Sequence, residues 1–279
     1  MNIRQILTFA SIMVCALLSG AQTLTSTYVE LADSADRYIR AERWQDAERV
    51  IVKALRHEPA NRSNYLLWSN LGIVRERQEN YPGALEAYGI GLASAPRSTM
   101  LLTNRARTYL ATGQLAAARA DLDSALDVDS TLQWPRKMRG VIRAALGDLD
   151  GADADLDIYT ARWGEDAAVS ETRGDIRVAR GDADGAIEAY REAYRLDGDP
   201  ATLGRLLLSA YACGRLEEEQ QALADGIRKH PRDATLYLLR AMLNKARYQT
   251  QAMEKDLKTA RELGIDPELY RRITGTAMK

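Results

Sequence analysis

The segment WSNLGIVRERQENYPGALEAYGIGLASAP, residues 68–96, decides the fold of this chain of 279 residues. It reads as two helices separated by a turn at Asn80, a residue that ends or caps helices. After the turn, Ala84, Tyr88 and Gly91 follow at helical spacing and share one face. Small residues let two helices approach closely, while the tyrosine fills the neighbouring space. One such pair buries too little apolar surface to fold alone, so the segment predicts a stack of pairs.

The same pattern recurs at steps of 34 residues, which is the evidence for an internal repeat. Turn signals recur at the same step, at Gly113, Gly147 and Gly181. The four columns are Gly72, Ala106, Gly140 and Gly174; Ala84, Ala118, Ala152 and Ala186; Tyr88, Leu122, Leu156 and Tyr190; and Gly91, Ala125, Tyr159 and Ala193. The first two columns are the predicted structural anchors of the repeat. Four columns that keep one period over four units indicate a repeat protein.

These residues resemble the tetratricopeptide repeat, whose period is 34 residues. The residues that carry the resemblance are Trp68, Leu71, Gly72, Ala84, Tyr88 and Pro96. Further units read through residues 35–59, 207–231 and 241–260, and the sixth unit departs from the pattern at Glu219. The resemblance implies an all-α, right-handed superhelical solenoid of about seven antiparallel helix pairs. It also implies that the first helices line a concave groove.

The two ends of the chain are predicted to lie outside the repeat array. Residues 1–21 read as a secretory signal peptide, with Arg4, the apolar run 6–18 and small residues up to Ala21. The apolar run is shorter than the ~20 residues of a membrane span, so no stable span is expected after cleavage. An uncleaved anchor and lipidation at Cys15 are the alternatives. The array is predicted over residues 22–266, followed by a capping helix and tail over residues 267–279.

Composition and motifs argue against chemistry. The formal net charge is −1, so no general field attracts nucleic acid or an anionic membrane. The two histidines, His57 and His230, lie about five units apart and cannot share a metal ion. Cys213 has no partner once the signal peptide is removed. Without a nucleophile–base constellation or a phosphate-binding loop, the sequence predicts no enzyme activity, no metal and no cofactor.

Arginine and aspartate recur with the same period as the anchors. Arg105, Arg139 and Arg173 each precede an anchor, and the preceding second helices carry Asp121 with Asp123 and Asp155 with Asp157. We interpret them as ion pairs between successive repeats, because an arginine fork fixes the geometry of a carboxylate partner. The alternative is a charged track for a ligand.

The resemblance also selects residues for the groove. The candidates on the first helices are Asn70, Asn104, Arg107, Lys137, Thr172, Arg205 and Tyr211. Asn104, Arg107 and Lys137 form an incomplete version of the set with which some family members clamp a peptide's terminal carboxylate. Trp134 is either a stacking contact or part of the core.

The resulting hypothesis is a non-catalytic scaffold that binds a protein or peptide in the periplasm of a Gram-negative bacterium or outside the cell. The alternative is a structural subunit of a cell-envelope assembly or secretion complex, which uses its end caps and convex face. The sequence leaves the oligomeric state open.

Overall fold

The computed structural model describes residues 25–276, which form fifteen α-helices and contain no β-strand. Consecutive helices are α1 (Ser26–Arg40), α2 (Trp44–His57), α3 (Asn64–Arg77), α4 (Tyr81–Ser94), α5 (Thr99–Ala111), α6 (Leu115–Val128), α7 (Gln133–Ala145), α8 (Leu149–Trp163), α9 (Ala167–Ala179), α10 (Ala183–Asp197), α11 (Pro200–Ala212), α12 (Gln220–Lys229), α13 (Ala234–Ala246), α14 (Thr250–Glu262) and α15 (Pro267–Thr274). A short 3-10 helix, Leu216–Glu219, precedes α12.

The chain divides into two compact units, and the boundary lies within α8, between Asp155 and Leu156. In the first unit α1 packs with α2, α3 with α4 and α5 with α6, and each pair packs on the next. In the second unit α9 packs with α10 and α13 with α14, while α11 contacts its neighbours on both sides. This helix-pair packing confirms the all-α repeat fold predicted from the 34-residue period.

The turn inside each pair has a fixed chemistry. Asn80 and Asp182 each accept a hydrogen bond from the backbone N–H three residues later, which caps the second helix. The residue at the tip of the turn has a positive φ, and glycine takes it most often, as at Gly181 (φ 75°). Three turns use another residue there: Glu42, Glu79 and Tyr248, with φ of 55°, 60° and 59°.

The anchor columns lie where the helices cross. The four alanines Ala84, Ala118, Ala152 and Ala186 are fully buried. Gly72 lies against the ring of Tyr88, and a Cβ added to it would come within 2.3 Å of Tyr88 Cε1. Gly174 has the same relation to Tyr190, at 2.4 Å. Glycine in this column therefore makes room for a tyrosine four residues after the alanine anchor.

Glu219 explains why the sixth repeat departs from the pattern. The other repeats have a small residue here, whereas Glu219 is buried and ends the 3-10 helix. Its carboxylate accepts a hydrogen bond from Arg191 Nη2 at 2.5 Å. A buried carboxylate needs such a cation, and the ion pair replaces the helix crossing that alanine allows in other repeats.

Some predicted features lie outside the described residues, among them the signal peptide at 1–21, Cys15 and the last three residues. Of the predicted tail, Pro267–Thr274 forms α15. No helix within residues 25–276 combines the length and the apolar character that crossing a bilayer requires.

Candidate functional site

Most first-helix arginines pair with aspartates of second helices, some within one helix pair and some between pairs. Within a pair the spacing is 16 residues, in Arg105–Asp121, Arg139–Asp155 and Arg240–Asp256. Between pairs the same spacing runs backwards, in Arg139–Asp123 and Arg173–Asp157. The predicted ion pairs between repeats exist, but the more buried aspartates pair within their own repeat.

Asp155 is the centre of the densest ion-pair cluster. Its carboxylate accepts hydrogen bonds from Arg136 at 3.0 Å, Arg139 at 2.7 Å and Arg143 at 2.9 Å. Only 2% of its side chain is exposed. Because these arginines are already bound and largely buried, the cluster stabilises the first unit and offers little to a ligand.

Arg107 differs from these arginines, because it stacks on an indole ring. Its guanidinium carbon lies 4.0 Å from the centre of the Trp134 ring. Its Nε is buried and has no hydrogen-bond partner, and Arg107 takes no part in the ion pairs of residues 25–276. Burial lowers the pKa of this guanidinium, and the negative charge of Glu76 opposes that effect. A guanidinium stacked through its face keeps its edge donors for a ligand.

The surroundings of Arg107 contain two more titratable groups. Glu76 accepts a hydrogen bond from the hydroxyl of Thr108. Burial raises the pKa of Glu76, against the hydrogen bonds and positive charges around it. Burial and then Glu76 raise the pKa of Tyr88, whose ring covers Gly72. We call the five residues Glu76, Tyr88, Arg107, Thr108 and Trp134 the Arg107 site; all belong to the first unit.

The structure places the other first-unit candidates beside or beneath this site. Asn104 is buried and donates a hydrogen bond to Ser69 Oγ at 3.3 Å. Asn70 is buried as well. Lys137 is half-buried and also interacts within the protein. Of the proposed clamp, Arg107 is therefore the member whose polar group is best placed to receive a ligand.

The second-unit candidates are held by contacts within the chain. Thr172 is buried and donates to the Ala168 carbonyl at 2.7 Å. Arg205 pairs with Asp175 at 2.5 Å and with Glu171 at 3.1 Å. The Tyr190 hydroxyl donates to the same Asp175 at 2.6 Å, so this tyrosine, acid and arginine form a closed set.

Tyr211 joins two elements that are far apart in sequence. Its hydroxyl donates to the Ile273 carbonyl of α15 at 2.8 Å, and both residues belong to one apolar cluster. The C-terminal helix therefore contacts part of the first-helix surface that the sequence had assigned to the groove.

Sequence reasoning had assigned Tyr88 to the core and not to the site. The ring is indeed buried, but its hydroxyl reaches the polar groups around Glu76. The combination of Gly72 with Tyr88 is the signal that could have shown this, because a ring lying flat on a glycine carries its hydroxyl across the first helix. Among the described residues, no group of three or more metal-ligating side chains is arranged to hold a metal ion.

The family of the chain follows from a match to a family model. The tetratricopeptide repeat model matches residues 33–88, 69–132 and 137–200, which together exceed half of the sequence. The chain therefore belongs to the tetratricopeptide repeat family, whose members are scaffolds for binding other proteins or peptides. A comparison with curated proteins gave no match.

Solved structures show the same fold at low sequence identity. A tetratricopeptide repeat protein from Parabacteroides merdae ATCC 43184 has 23% identity and a TM-score of 0.66, covering 90% of this chain and 98% of its own. PilW, described as a type IV pilus biogenesis factor, has 18% identity and a TM-score of 0.61, covering 76% and 98%. YrrB, described as having an unusual peptide-binding site, has 16% identity and a TM-score of 0.56, covering 69% and 100%.

Proposed function

We propose that the protein is a non-catalytic scaffold that binds a protein segment at the Arg107 site, in the bacterial periplasm or outside the cell. The observation that carries the proposal is the half-buried Arg107, stacked on Trp134 and without an ion-pair partner in residues 25–276. In a protein that pairs most of its first-helix arginines, this guanidinium is prepared for a partner that the chain does not supply.

The ligand chemistry follows from the neighbours of Arg107. A carboxylate accepts two parallel hydrogen bonds from a guanidinium edge, so a peptide's terminal or side-chain carboxylate fits. Half-buried apolar side chains at Leu110, Trp134 and Met138 lie in the same cluster and offer contact area to an apolar residue beside that carboxylate. Partial burial strengthens the ion pair relative to one on the open surface.

The location and the alternative function have separate support. The apolar leader at residues 1–21 supports export. PilW supports the alternative, a subunit of a cell-envelope assembly, because its description names pilus biogenesis. In that case the end helices or the second-helix surface would hold the partner, and the Arg107 site would not matter for binding.

We expect Arg107→Ala to weaken binding of a captured partner by at least about tenfold, since a charge-assisted hydrogen bond contributes about 1.5–3 kcal/mol. Bait protein immobilised in a periplasmic extract supplies the partner, and titration with the purified partner measures its affinity. Arg119→Ala, at a half-buried arginine on a second helix, is the matched control. Unchanged affinity in Arg107→Ala, with the fold intact, would reject this site and favour the assembly subunit.

Glu76→Gln should strengthen the same interaction. Glu76 opposes the charge of Arg107 that an incoming carboxylate needs, and glutamine keeps an acceptor for Thr108 without the negative charge. We expect a severalfold tighter complex, which shrinks as the salt concentration rises because ions screen the charges. Tighter binding in Glu76→Gln and weaker binding in Arg107→Ala would together identify an anionic ligand group. A weaker complex for both variants would mean that the ligand group is not anionic.

A further inference from the structure

The second unit contains an apolar cavity that no residue assigned above uses. Its volume is about 300 Å³, at the lower end of the range for sites that bind an organic group. It opens at the turns of two successive repeats and is lined by Val178, Gly181, Ala183, Leu208, Ala212 and Cys213. Val178 at its rim is 54% exposed although it is apolar. The lining is of a size and chemistry to accept one apolar or aromatic side chain.

The same unit carries an aromatic side chain without a packing partner. Tyr248 is 94% exposed, the most exposed of the large hydrophobic residues described. It occupies the tip of the α13–α14 turn with φ of 59°, a conformation that disfavours a bulky residue. Four other repeats place glycine at this tip, namely at Gly113, Gly147, Gly181 and Gly214. A strained and exposed aromatic residue therefore stands where glycine would serve the turn better, which points to a role outside this chain's own packing.

Cavity and tyrosine lie on the same edge of the second unit. The cavity is at the turns after α9 and α11, and Tyr248 is at the turn after α13. If two copies place these edges side by side in opposite directions, a two-fold axis brings each Tyr248 to the other copy's cavity. Such an interface is self-complementary and closes as a dimer.

We propose that the protein self-associates as a two-fold dimer in which Tyr248 of each copy inserts into the cavity at Val178, Ala212 and Cys213 of the other. The occupant is a second copy because the chain itself carries a side chain of the required chemistry on the required edge. The proposal is independent of the Arg107 site, since all its residues lie in the second unit. Tyrosine anchors that fill a pocket are frequent centres of binding energy.

Sedimentation analysis of the intact chain tests the proposal. We expect a monomer–dimer equilibrium, weakened at least about thirtyfold by Tyr248→Gly, because a buried anchor contributes about 2 kcal/mol or more. This variant removes the ring and relieves the strained turn, so loss of folding cannot explain the effect. Glu79→Gly makes the same backbone change in the first unit and should leave association unchanged. Ala212→Leu, which partly fills the cavity, should weaken association as Tyr248→Gly does.

Cross-linking identifies the contact itself. In a chain with Cys15→Ser, Cys213 is exposed and can react, so Tyr248→Cys should be joined to Cys213 of a second copy by a short bismaleimide. Differently tagged copies distinguish this bond from one within a chain. A chain that stays monomeric up to about 100 μM, a dimer that Tyr248→Gly does not weaken, or open-ended higher oligomers would each overturn the proposal.

Discussion

Replacing Asp155 with alanine is expected to lower the free energy of unfolding by about 3–5 kcal/mol, the range for removing one partner of a buried ion pair. Asp155 is the acceptor for Arg136, Arg139 and Arg143, all of which are themselves largely withdrawn from solvent. Without the carboxylate, three guanidinium groups repel one another in a poorly hydrated space. Much of the loss therefore comes from the unpaired charges that remain and not from the attraction that is removed.

Asp157 provides the control for this prediction, because it lies on the same helix and also binds an arginine. Its pair with Arg173 is 2.9 Å long, but 66% of the Asp157 side chain is exposed. An exposed pair is worth about 0–1 kcal/mol, so Asp157→Ala should shift the urea midpoint only slightly. Equal losses for Asp155→Ala and Asp157→Ala would show that burial does not govern these ion pairs.

The fold could be predicted from the sequence because its determinants are local and periodic. A small residue at a helix crossing, such as Ala84 or Ala118, must recur wherever the crossing recurs. The pairing of arginine with aspartate was less accessible. The period assigns Arg139 and both Asp123 and Asp155 to one side of the helices, but only the distance between the helices decides which carboxylate is buried with the arginine.

The candidate site could be predicted only in part, because long side chains choose their partners in three dimensions. Arg107 was a predicted groove residue, but its stacking on Trp134 depends on the packing of two first helices. Asn104 had the same spacing and instead bonds Ser69. Tyr211 bonds Ile273, which is 62 residues away in a helix that belongs to no repeat. A repeat pattern contains no information about such a contact.

Gly72→Ala is expected to destabilise the first unit by about 1–3 kcal/mol, although alanine favours helices. The added Cβ would lie 2.3, 2.5 and 2.7 Å from three ring atoms of Tyr88. Real contacts of this kind are longer, and the ring is fully buried, so it cannot move aside without displacing its neighbours. Thermal and urea unfolding measure the loss. A stability equal to or above that of the unchanged chain would mean that the Tyr88 ring does not lie against Gly72.

Two further variants separate this clash from the general effect of adding a methyl group. Gly89 lies in helix α4 with open space around it, so Gly89→Ala should stabilise by about 0.5–1 kcal/mol. The next repeat places Ala106 and Leu122 in these two columns, both fully buried. We therefore expect Gly72→Ala combined with Tyr88→Leu to be more stable than the sum of the single changes predicts, with a coupling of about 0.5–3 kcal/mol. Strict additivity would exclude a direct contact, because two residues that share one space cannot change independently.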